Sequence, residues 1–173
     1  MIEVVLRAVR VDVGSATPLL LLEEVAGDRV LPIFVGTPEA AAIAYALQGV
    51  EAPRPMSHDL MGHVITALGA RLFSVEITEL VAGTFYANLR MLRGGEEIVV
   101  SARPSDAVAL ALRVGAPILV SDALMASEGR VMDLSEEDEE DEEAPVIDVA
   151  DEADLVAELR AFLDRVDPED FGK

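Results

Sequence analysis

Two stretches of the chain repeat the same order of sequence patterns, and this repetition limits the folds that the chain can adopt. Each stretch has three segments in which apolar and polar residues alternate, followed by alanine-rich segments, over residues 1–69 and about 70–127. Alternation predicts strands, and the glycine-containing pairs between them predict hairpin turns. Thr17 and Thr84 are 67 residues apart, as are Gly27 and Gly94. We therefore predict a duplicated β-β-β-α-α unit.

The alternating segments also indicate how the sheet is shaped. In the first segment the apolar side chains occupy even positions as far as Ala8 and odd positions from Val9 onward. Such a change of phase predicts a β-bulge, which bends a strand and increases its twist, and a second change precedes Leu80. We expect an α+β fold with a curved, barrel-like mixed sheet and helices outside it. Its predicted strands cover residues 1–13, 19–25, 29–35, 71–81, 84–92, 96–102 and 117–120.

The helices are predicted from their start signals and their alanine-rich composition. Pro38 and Pro104 suit a first helical turn, and nearby polar side chains are candidate N-caps. Helices 38–48 and 104–114 have no fully polar face, so we expect one side to meet the sheet and the other a second subunit. The sequence thus predicts a homo-oligomer, most simply a dimer. The candidate caps are Thr37, Ser57, Ser105 or Asp106, and Ser121 with Asp122.

The formal charge of −20 is concentrated at one end of the chain. Residues 128–173 contain 19 acidic and 4 basic residues, a net of −15, which leaves 14 acidic and 9 basic residues, a net of −5, for residues 1–127. The run 136–143 is entirely acidic, so we predict a disordered acidic linker over 128–150. A helix with one apolar stripe is predicted after it, within 151–173. That stripe consists of Leu155, Leu159, Phe162, Leu163 and Val166.

Several classes of protein are disfavoured by the sequence. There is no cysteine, so disulfides, thiolate metal sites and a cysteine nucleophile are excluded. No apolar run is long enough for a membrane helix and no targeting segment is recognisable, so we expect a soluble, cytoplasmic protein. His58 and His63 are five residues apart, which is not the four-residue spacing of a zinc-binding helix. Walker and nucleophile-elbow motifs are also missing.

Four passages carry a resemblance to a known family. They are Leu-Pro-Ile-Phe-Val-Gly at 31–36 with Glu-Ala at 39–40, Arg-Pro-Met-Ser-His-Asp-Leu at 54–60, Gly-Thr-Phe-Tyr-Ala at 83–87, and Arg-Pro-Ser-Asp-Ala-Val-Ala-Leu-Ala-Leu-Arg at 103–113. In this order they resemble the bifunctional nuclease domain family, over about residues 1–126. The resemblance implies an α+β duplication and a nuclease that degrades RNA and DNA with little sequence preference. Ser101, Ala102 and Ser57 depart from the residues usual in that family.

The polar residues near the helix starts supply candidates for phosphodiester cleavage. We predict His58, Asp59, Arg103 and Asp106 as catalytic residues, because an acid or base and a phosphate clamp are needed. Arg54, Arg103 and Ser105 are the candidate substrate-binding residues. Asp59, Asp106 and Glu39 are the candidate ligands of Mg²⁺ or another divalent cation, since hard cations prefer carboxylate oxygens.

Each candidate also has a purely structural interpretation. Asp59 can stabilise the first turn of its helix, His58 can be an exposed neighbour of a cap, and Arg103 with Asp106 can form an ion pair that fixes a corner. The acidic composition of residues 1–127 does not favour nucleic acid, whose backbone is bound mainly by positive charge. The alternative function is therefore a non-catalytic regulatory or scaffold oligomer that binds a protein or a small ligand.

The acidic run generates a prediction of its own. Eight consecutive carboxylates resemble the charge density of a nucleic acid strand, and their tether gives them a high effective concentration near any arginine. We expect truncation after Asp133 to tighten binding of single-stranded nucleic acid at low ionic strength. The gain should vanish at high salt because exposed charges are then screened. Equal affinities of the full-length and truncated proteins at low salt, measured by fluorescence anisotropy, would show that the run is only a solubilising linker.

Overall fold

Strands and helices follow one another in nearly the predicted order in the computed structural model. The structure describes residues 1–12, 14–50 and 52–132, so the acidic run and the predicted C-terminal helix lie outside the described residues. The strands are β1 (Ile2–Asp12), β2 (Thr17–Glu24), β3 (Arg29–Phe34), β4 (Ala70–Val81), β5 (Thr84–Arg93), β6 (Glu96–Ala102), β7 (Ile118–Val120) and β8 (Arg130–Val131). The helices are α1 (Thr37–Leu47), α2 (Ser57–Ala67), α3 (Pro104–Val114) and α4 (Asp122–Glu128).

All eight strands belong to one mixed sheet, with the order β6-β5-β4-β7-β1-β2-β3-β8. Neighbouring strands are antiparallel except for β4 and β7, which are parallel. The short strand β7 therefore joins two three-stranded meanders, β1-β2-β3 and β4-β5-β6. Within the described residues no pairing joins β6 to β8, so the sheet is open. A barrel requires its end strands to pair, and the barrel-like expectation is corrected to an open mixed sheet in an α+β fold.

The two halves share the order β-β-β-α, but they differ after that point. The first half continues with a second long helix, α2, whereas the second half continues with β7, α4 and β8. Strand β8 pairs with β3, although its residues fall in the range that we assigned to the acidic linker. The duplication itself stays a prediction.

Irregular strand pairing occurs where the sequence changes phase. The pairing of β1 with β2 shifts between Leu6 and Ala8, which confirms the predicted bulge. The pairing of β4 with β5 shifts between Ile77 and Glu79, as predicted, and also between Leu72 and Ser74. The second shift was missed. It places Leu72, rather than Phe73, in the apolar core with Val75 and Ile77.

Helix α3 lies at the centre of the packing. Residues 104, 105 and 107–111 are buried, and the helix contacts β4 and β5 as well as α1 and α2. Its second side is therefore covered by helices of the same chain, which removes α3 as a reason to expect a second subunit. Gly115, whose φ of 67° is left-handed, ends the helix as expected from its sequence. The predicted oligomer stays a prediction.

The helix starts differ from the predicted caps. The N-cap positions of α1 and α2 are Gly36 and Met56, so Thr37 and Ser57 are the first helical residues rather than caps. In α2 the Met56 amide instead donates to Asp59 Oδ2 at 2.8 Å. Only the cap of α4 is confirmed by a side-chain bond, from the Leu124 amide to Ser121 Oγ. No helix in the described part of the chain is long and apolar enough to cross a membrane.

Helix α2 approaches α3 closely at Gly62. A Cβ atom added to Gly62 would lie 3.2 Å from Val114 Cγ1 and 3.8 Å from Leu110 Cδ1. There is accordingly no space for a long side chain between the two helices. Gly62 is the one residue of α2 that is fully buried.

We expect Gly62→Leu to lower the free energy of unfolding by about 1–3 kcal/mol, because a side chain forced into a packed interface strains it. Ala67→Leu is the matched control, since Ala67 is exposed on the same helix and has room for the same side chain. Urea denaturation of both variants measures the difference. Equal stabilities would contradict the close packing of α2 on α3.

Candidate active site

Arg103 lies at the corner where β6 gives way to α3. It occupies the N-cap position of α3 in an extended backbone conformation. Its Nε donates to Asp106 Oδ2 at 2.6 Å, its Nη2 donates to Asp106 Oδ1 at 3.0 Å, and its Nη1 donates to Glu39 Oε1 at 2.8 Å. The guanidinium thus joins α3 to α1 with a bidentate contact on one carboxylate and a single contact on another. Its side chain remains 65% exposed.

His58 completes this group from a third helix. Its Nε2 lies 3.1 Å from Asp106 Oδ1, and its side chain is only 12% exposed. The three helices α1, α2 and α3 therefore each contribute one side chain around Arg103. We call Glu39, His58, Arg103 and Asp106 the Arg103 cluster. Asp106 faces Arg103 and His58, so it does not act as the N-cap that the sequence predicted.

The charges of the Arg103 cluster influence one another. The hydrogen bonds from Arg103 lower the pKa of Asp106, against the opposing effect of burial and with a smaller contribution from His58. In return, Asp106, followed by Glu39, raises the pKa of Arg103. With both carboxylates ionised and His58 neutral, the formal charges of −1, −1 and +1 sum to −1. The cluster is therefore an internally paired site without a net positive charge.

Asp59 does not join the Arg103 cluster, although it follows His58 in the sequence. Its Oδ1 accepts from Arg113 Nε at 2.5 Å, and its Oδ2 accepts from the Met56 amide. The hydrogen bond donated by the Met56 amide is the main reason that the pKa of Asp59 is lowered, and Arg113 lowers it further. These contacts agree with the structural interpretation of Asp59, in which it stabilises the first turn of its helix.

Arg113 was missed as an important residue. Its Nη1 donates to the Ala109 carbonyl and its Nη2 to the Ala42 carbonyl, both at 2.9 Å, in addition to the Asp59 contact. The side chain is 11% exposed. The sequence signal was a single basic residue in the last turn of the helix, after the apolar residues 107–112, where a cation is stabilised by the helix dipole.

The two remaining substrate-binding candidates have opposite environments. Arg54 is exposed on the segment that leads into α2, and it makes no ion pair with another residue that the structure describes. Ser105 is only 6% exposed, so it offers little surface to a polymeric substrate. Arg54 is accordingly the better placed of the two for contact with a phosphate.

The predicted metal ligands do not form one set. Glu39 and Asp106 both bind Arg103, whereas Asp59 binds Arg113. No three carboxylate or imidazole groups among the described residues are grouped so that they could hold a metal ion. The residues in this arrangement therefore do not fit a Mg²⁺ site, which needs carboxylate oxygens that are not already bound by arginine.

The fold and the Arg103 cluster together define a class, an α+β domain in which three helices bring a histidine, two carboxylates and an arginine to one strand-to-helix corner. The bifunctional nuclease domain family matches residues 20–133. This chain belongs to that family, as the resemblance of its sequence predicted.

Relatives of two kinds are similar to this chain. A Mycobacterium tuberculosis protein, named only as uncharacterized, is 50% identical over 98% of this chain and 97% of its own length. Bifunctional nuclease 1 of Oryza sativa subsp. indica is 29% identical over 64% of this chain and 34% of its own length. Bifunctional nuclease 1 of Arabidopsis thaliana is 28% identical over 79% of this chain and 42% of its own length. The similarity therefore covers less than half of each of these two plant proteins.

The Asp59 contacts predict a pH-dependent contribution to stability. Because the folded-state pKa of Asp59 is lowered, its stabilisation is present above the unfolded-state pKa and is lost as the pH falls through the folded-state value. We expect Asp59→Asn to cost about 1–2 kcal/mol of unfolding free energy at neutral pH, since a charge-assisted hydrogen bond is lost. In urea denaturation the gap from wild type should close in acid.

Asp28→Asn provides the control for this prediction, because Asp28 is exposed and makes no ion pair with another described residue. It should leave stability nearly unchanged at every pH. A gap between wild type and Asp59→Asn that persists unchanged below the folded-state pKa would contradict an electrostatic role for Asp59.

Proposed function

We propose that the protein is a nuclease that hydrolyses phosphodiester bonds of RNA and DNA with low sequence specificity, and that the Arg103 cluster is its active site. One observation carries the proposal. Three of the four passages that carry the family resemblance are far apart in the sequence, yet each supplies a residue of the cluster. Glu39 comes from the first passage, His58 from the second, and Arg103 with Asp106 from the fourth.

In the proposed mechanism His58 is the general base. Asp106 accepts a hydrogen bond from Nε2, which places the proton on that nitrogen and leaves Nδ1 to accept a proton. Nδ1 takes a proton from the water that attacks the phosphorus, the bond from phosphorus to the leaving oxygen breaks, and the leaving oxygen takes its proton from solvent water. Asp106 orients the ring and stabilises the imidazolium that forms, as carboxylates do in other hydrolytic sites.

Arg103 is the proposed phosphate clamp. Its exposed guanidinium holds Asp106 through Nε and Nη2, so Nη1 is the group that a phosphate oxygen can take over from Glu39. A guanidinium suits this role because it stays positively charged and donates hydrogen bonds readily to phosphate oxygens. Arg54 adds a second positive charge on the segment that precedes His58. Glu39 then competes with the substrate for Arg103, which keeps the cluster paired when no substrate is bound.

The paired state of the cluster also favours a second candidate function. An arginine that holds two carboxylates can simply fix the corner between β6 and α3. The chain would then be a non-catalytic regulatory or scaffold oligomer that binds a protein or a small ligand. Comparing the effects of substitutions on turnover and on stability distinguishes the two functions.

The assay uses labelled single-stranded RNA and DNA, and we expect His58→Gln and Asp106→Asn to reduce kcat by about 10²–10⁴-fold, the usual contribution of general acid–base catalysis. Arg103→Ala should reduce kcat/KM by a comparable factor, because the phosphate loses its clamp. Parallel reactions with Mg²⁺ and with a chelator test the predicted use of a divalent cation. No step of the mechanism above involves such a cation.

Arg90→Ala is the matched control. Arg90 also pairs with two carboxylates, those of Glu76 and Glu97, but it lies in the sheet and outside the Arg103 cluster. It should retain the turnover of the wild type per folded molecule. Full activity of purified His58→Gln and Asp106→Asn, or an equal loss in Arg90→Ala, would contradict the assignment of the active site.

A further inference from the structure

The passage Gly-Thr-Phe-Tyr-Ala at 83–87 supplies no side chain of the Arg103 cluster, yet it lies beside that cluster. It forms the turn before β5 and the start of that strand. Ala87 pairs with Ala102, the last residue of β6, and Arg103 follows Ala102 directly. Because β5 and β6 are antiparallel, the residues that precede Ala87 lie next to the residues that follow Ala102. The start of β5 therefore borders the corner that holds Arg103.

The two aromatic residues of this passage lie on opposite faces of the sheet. Side chains alternate along a strand, so Phe85 shares a face with Ala87, whereas Tyr86 occupies the other face. Ala87 is fully buried in the apolar core with residues of α3, and Phe85 is partly buried against the same core. Tyr86 is 42% exposed. Phe85 thus lies on the face of the sheet that carries α3 and its Arg103 cluster.

The edge of the sheet next to Phe85 is apolar and open on this face. Val100 pairs with Leu89, a residue of the core, so Val100 lies on the same face. Ala102 shares that face because it is two residues further along β6. Helix α3 packs on β4 and β5, and Val100 on the edge strand remains 43% exposed. We call Phe85, Val100 and Ala102 the β5–β6 patch. It carries no charge, and it borders the exposed side chain of Arg103.

The charge of the chain indicates what such a patch contributes. Affinity for nucleic acid is normally supplied by positive charge, but residues 1–127 have a net charge of −5 and the Arg103 cluster has a formal charge of −1. Binding of a nucleic acid at the cluster therefore needs a contribution that is not electrostatic. Stacking of a base on an aromatic ring is such a contribution, and one stacked base raises the affinity about 10-fold or more.

We propose that Phe85 stacks against a base of the strand whose phosphate Arg103 binds, and that the site therefore selects single-stranded nucleic acid. In a duplex every base is already paired and stacked, so its flat faces are not available to a side chain. Every base has such a face, and stacking of this kind is therefore compatible with low sequence specificity. The proposal rests on the proposed nuclease function and names the form of substrate that the same site takes.

Binding to the full-length protein tests the proposal without catalysis. The probe is a labelled single-stranded phosphorothioate oligonucleotide, and its affinity is measured by fluorescence anisotropy at low salt. We expect Phe85→Leu to weaken binding about 10-fold, because leucine keeps the apolar packing but removes the ring. Phe85→Tyr keeps the ring and should bind like the wild type. Tyr86→Leu is the matched control, since it removes the neighbouring, more exposed ring from the other face, and its affinity should be unchanged.

A blunt duplex of the same sequence separates stacking from a general disturbance of the corner. The wild type should bind the duplex less tightly than the single strand, and Phe85→Leu should leave the affinity for the duplex unchanged.

Val100→Glu and Val99→Glu provide a second matched pair, because both side chains are exposed on β6 but lie on opposite faces. Only Val100→Glu brings a negative charge into the β5–β6 patch, so we expect it alone to weaken binding of the single strand several-fold. Both variants replace exposed side chains, so they test the patch even if Phe85→Leu does not fold. Urea denaturation establishes that each variant is folded before its affinity is compared.

The outcomes distinguish this proposal from the proposed function. Wild-type affinity in folded Phe85→Leu, an equal loss in Tyr86→Leu, or equal losses for single strand and duplex would overturn the role of Phe85. Equal affinities of Val100→Glu and Val99→Glu would overturn the role of the patch. If the wild type nevertheless hydrolyses single strands, only the stacking proposal is wrong. A wild type that neither binds nor hydrolyses them would contradict the proposed function as well.

Discussion

The arrangement of the three long helices depends on the contacts that the guanidinium of Arg113 makes. It lies almost buried at the last turn of α3, where it binds Asp59 of α2 and the Ala42 carbonyl of α1. The Arg103 cluster draws one residue from each of the same helices. Because an active site must hold its groups within a fraction of an ångström, a contact that fixes the helices would also fix the proposed site. We therefore expect Arg113 to influence the cluster without touching it.

Helix α3 separates two charged networks that have different roles. At its start, Arg103 is mostly exposed and binds two carboxylates, so it can exchange one of them for a ligand. Toward its end, Arg113 is largely buried and binds one carboxylate and two carbonyls, so exchanging them would leave polar groups unsatisfied. Between the two arginines, residues 107–112 are apolar, and the helix packs on the sheet. The different exposures of the two arginines thus distinguish a group that can bind a ligand, Arg103, from a group that stabilises the fold, Arg113.

The strands other than β8 could be predicted from the sequence because their alternation, their hairpin glycines and two of their bulges are local features. Contacts between distant segments could not be predicted in this way. The pattern of α3 correctly indicated two buried sides, but only the tertiary structure shows that α1 and α2 cover the second side. Asp59 and Asp106 occupy equivalent third positions of their helices, and both suggested a metal ligand. Their different partners, Arg113 and Arg103, depend on how the helices cross, which no local pattern specifies.

The central claim is that nucleic acid binds where His58 meets Asp106, and the two histidines of the chain allow this claim to be tested directly. Their ring resonances can be followed by NMR while a non-hydrolysable single-stranded phosphorothioate oligonucleotide is added to the wild-type protein. His58 belongs to the Arg103 cluster, whereas His63 is exposed and lies outside it. We expect the His58 resonances to shift in a saturable manner and those of His63 to remain in place. Saturable shifts of His63 alone, or no shift of either ring at saturation, would contradict the account.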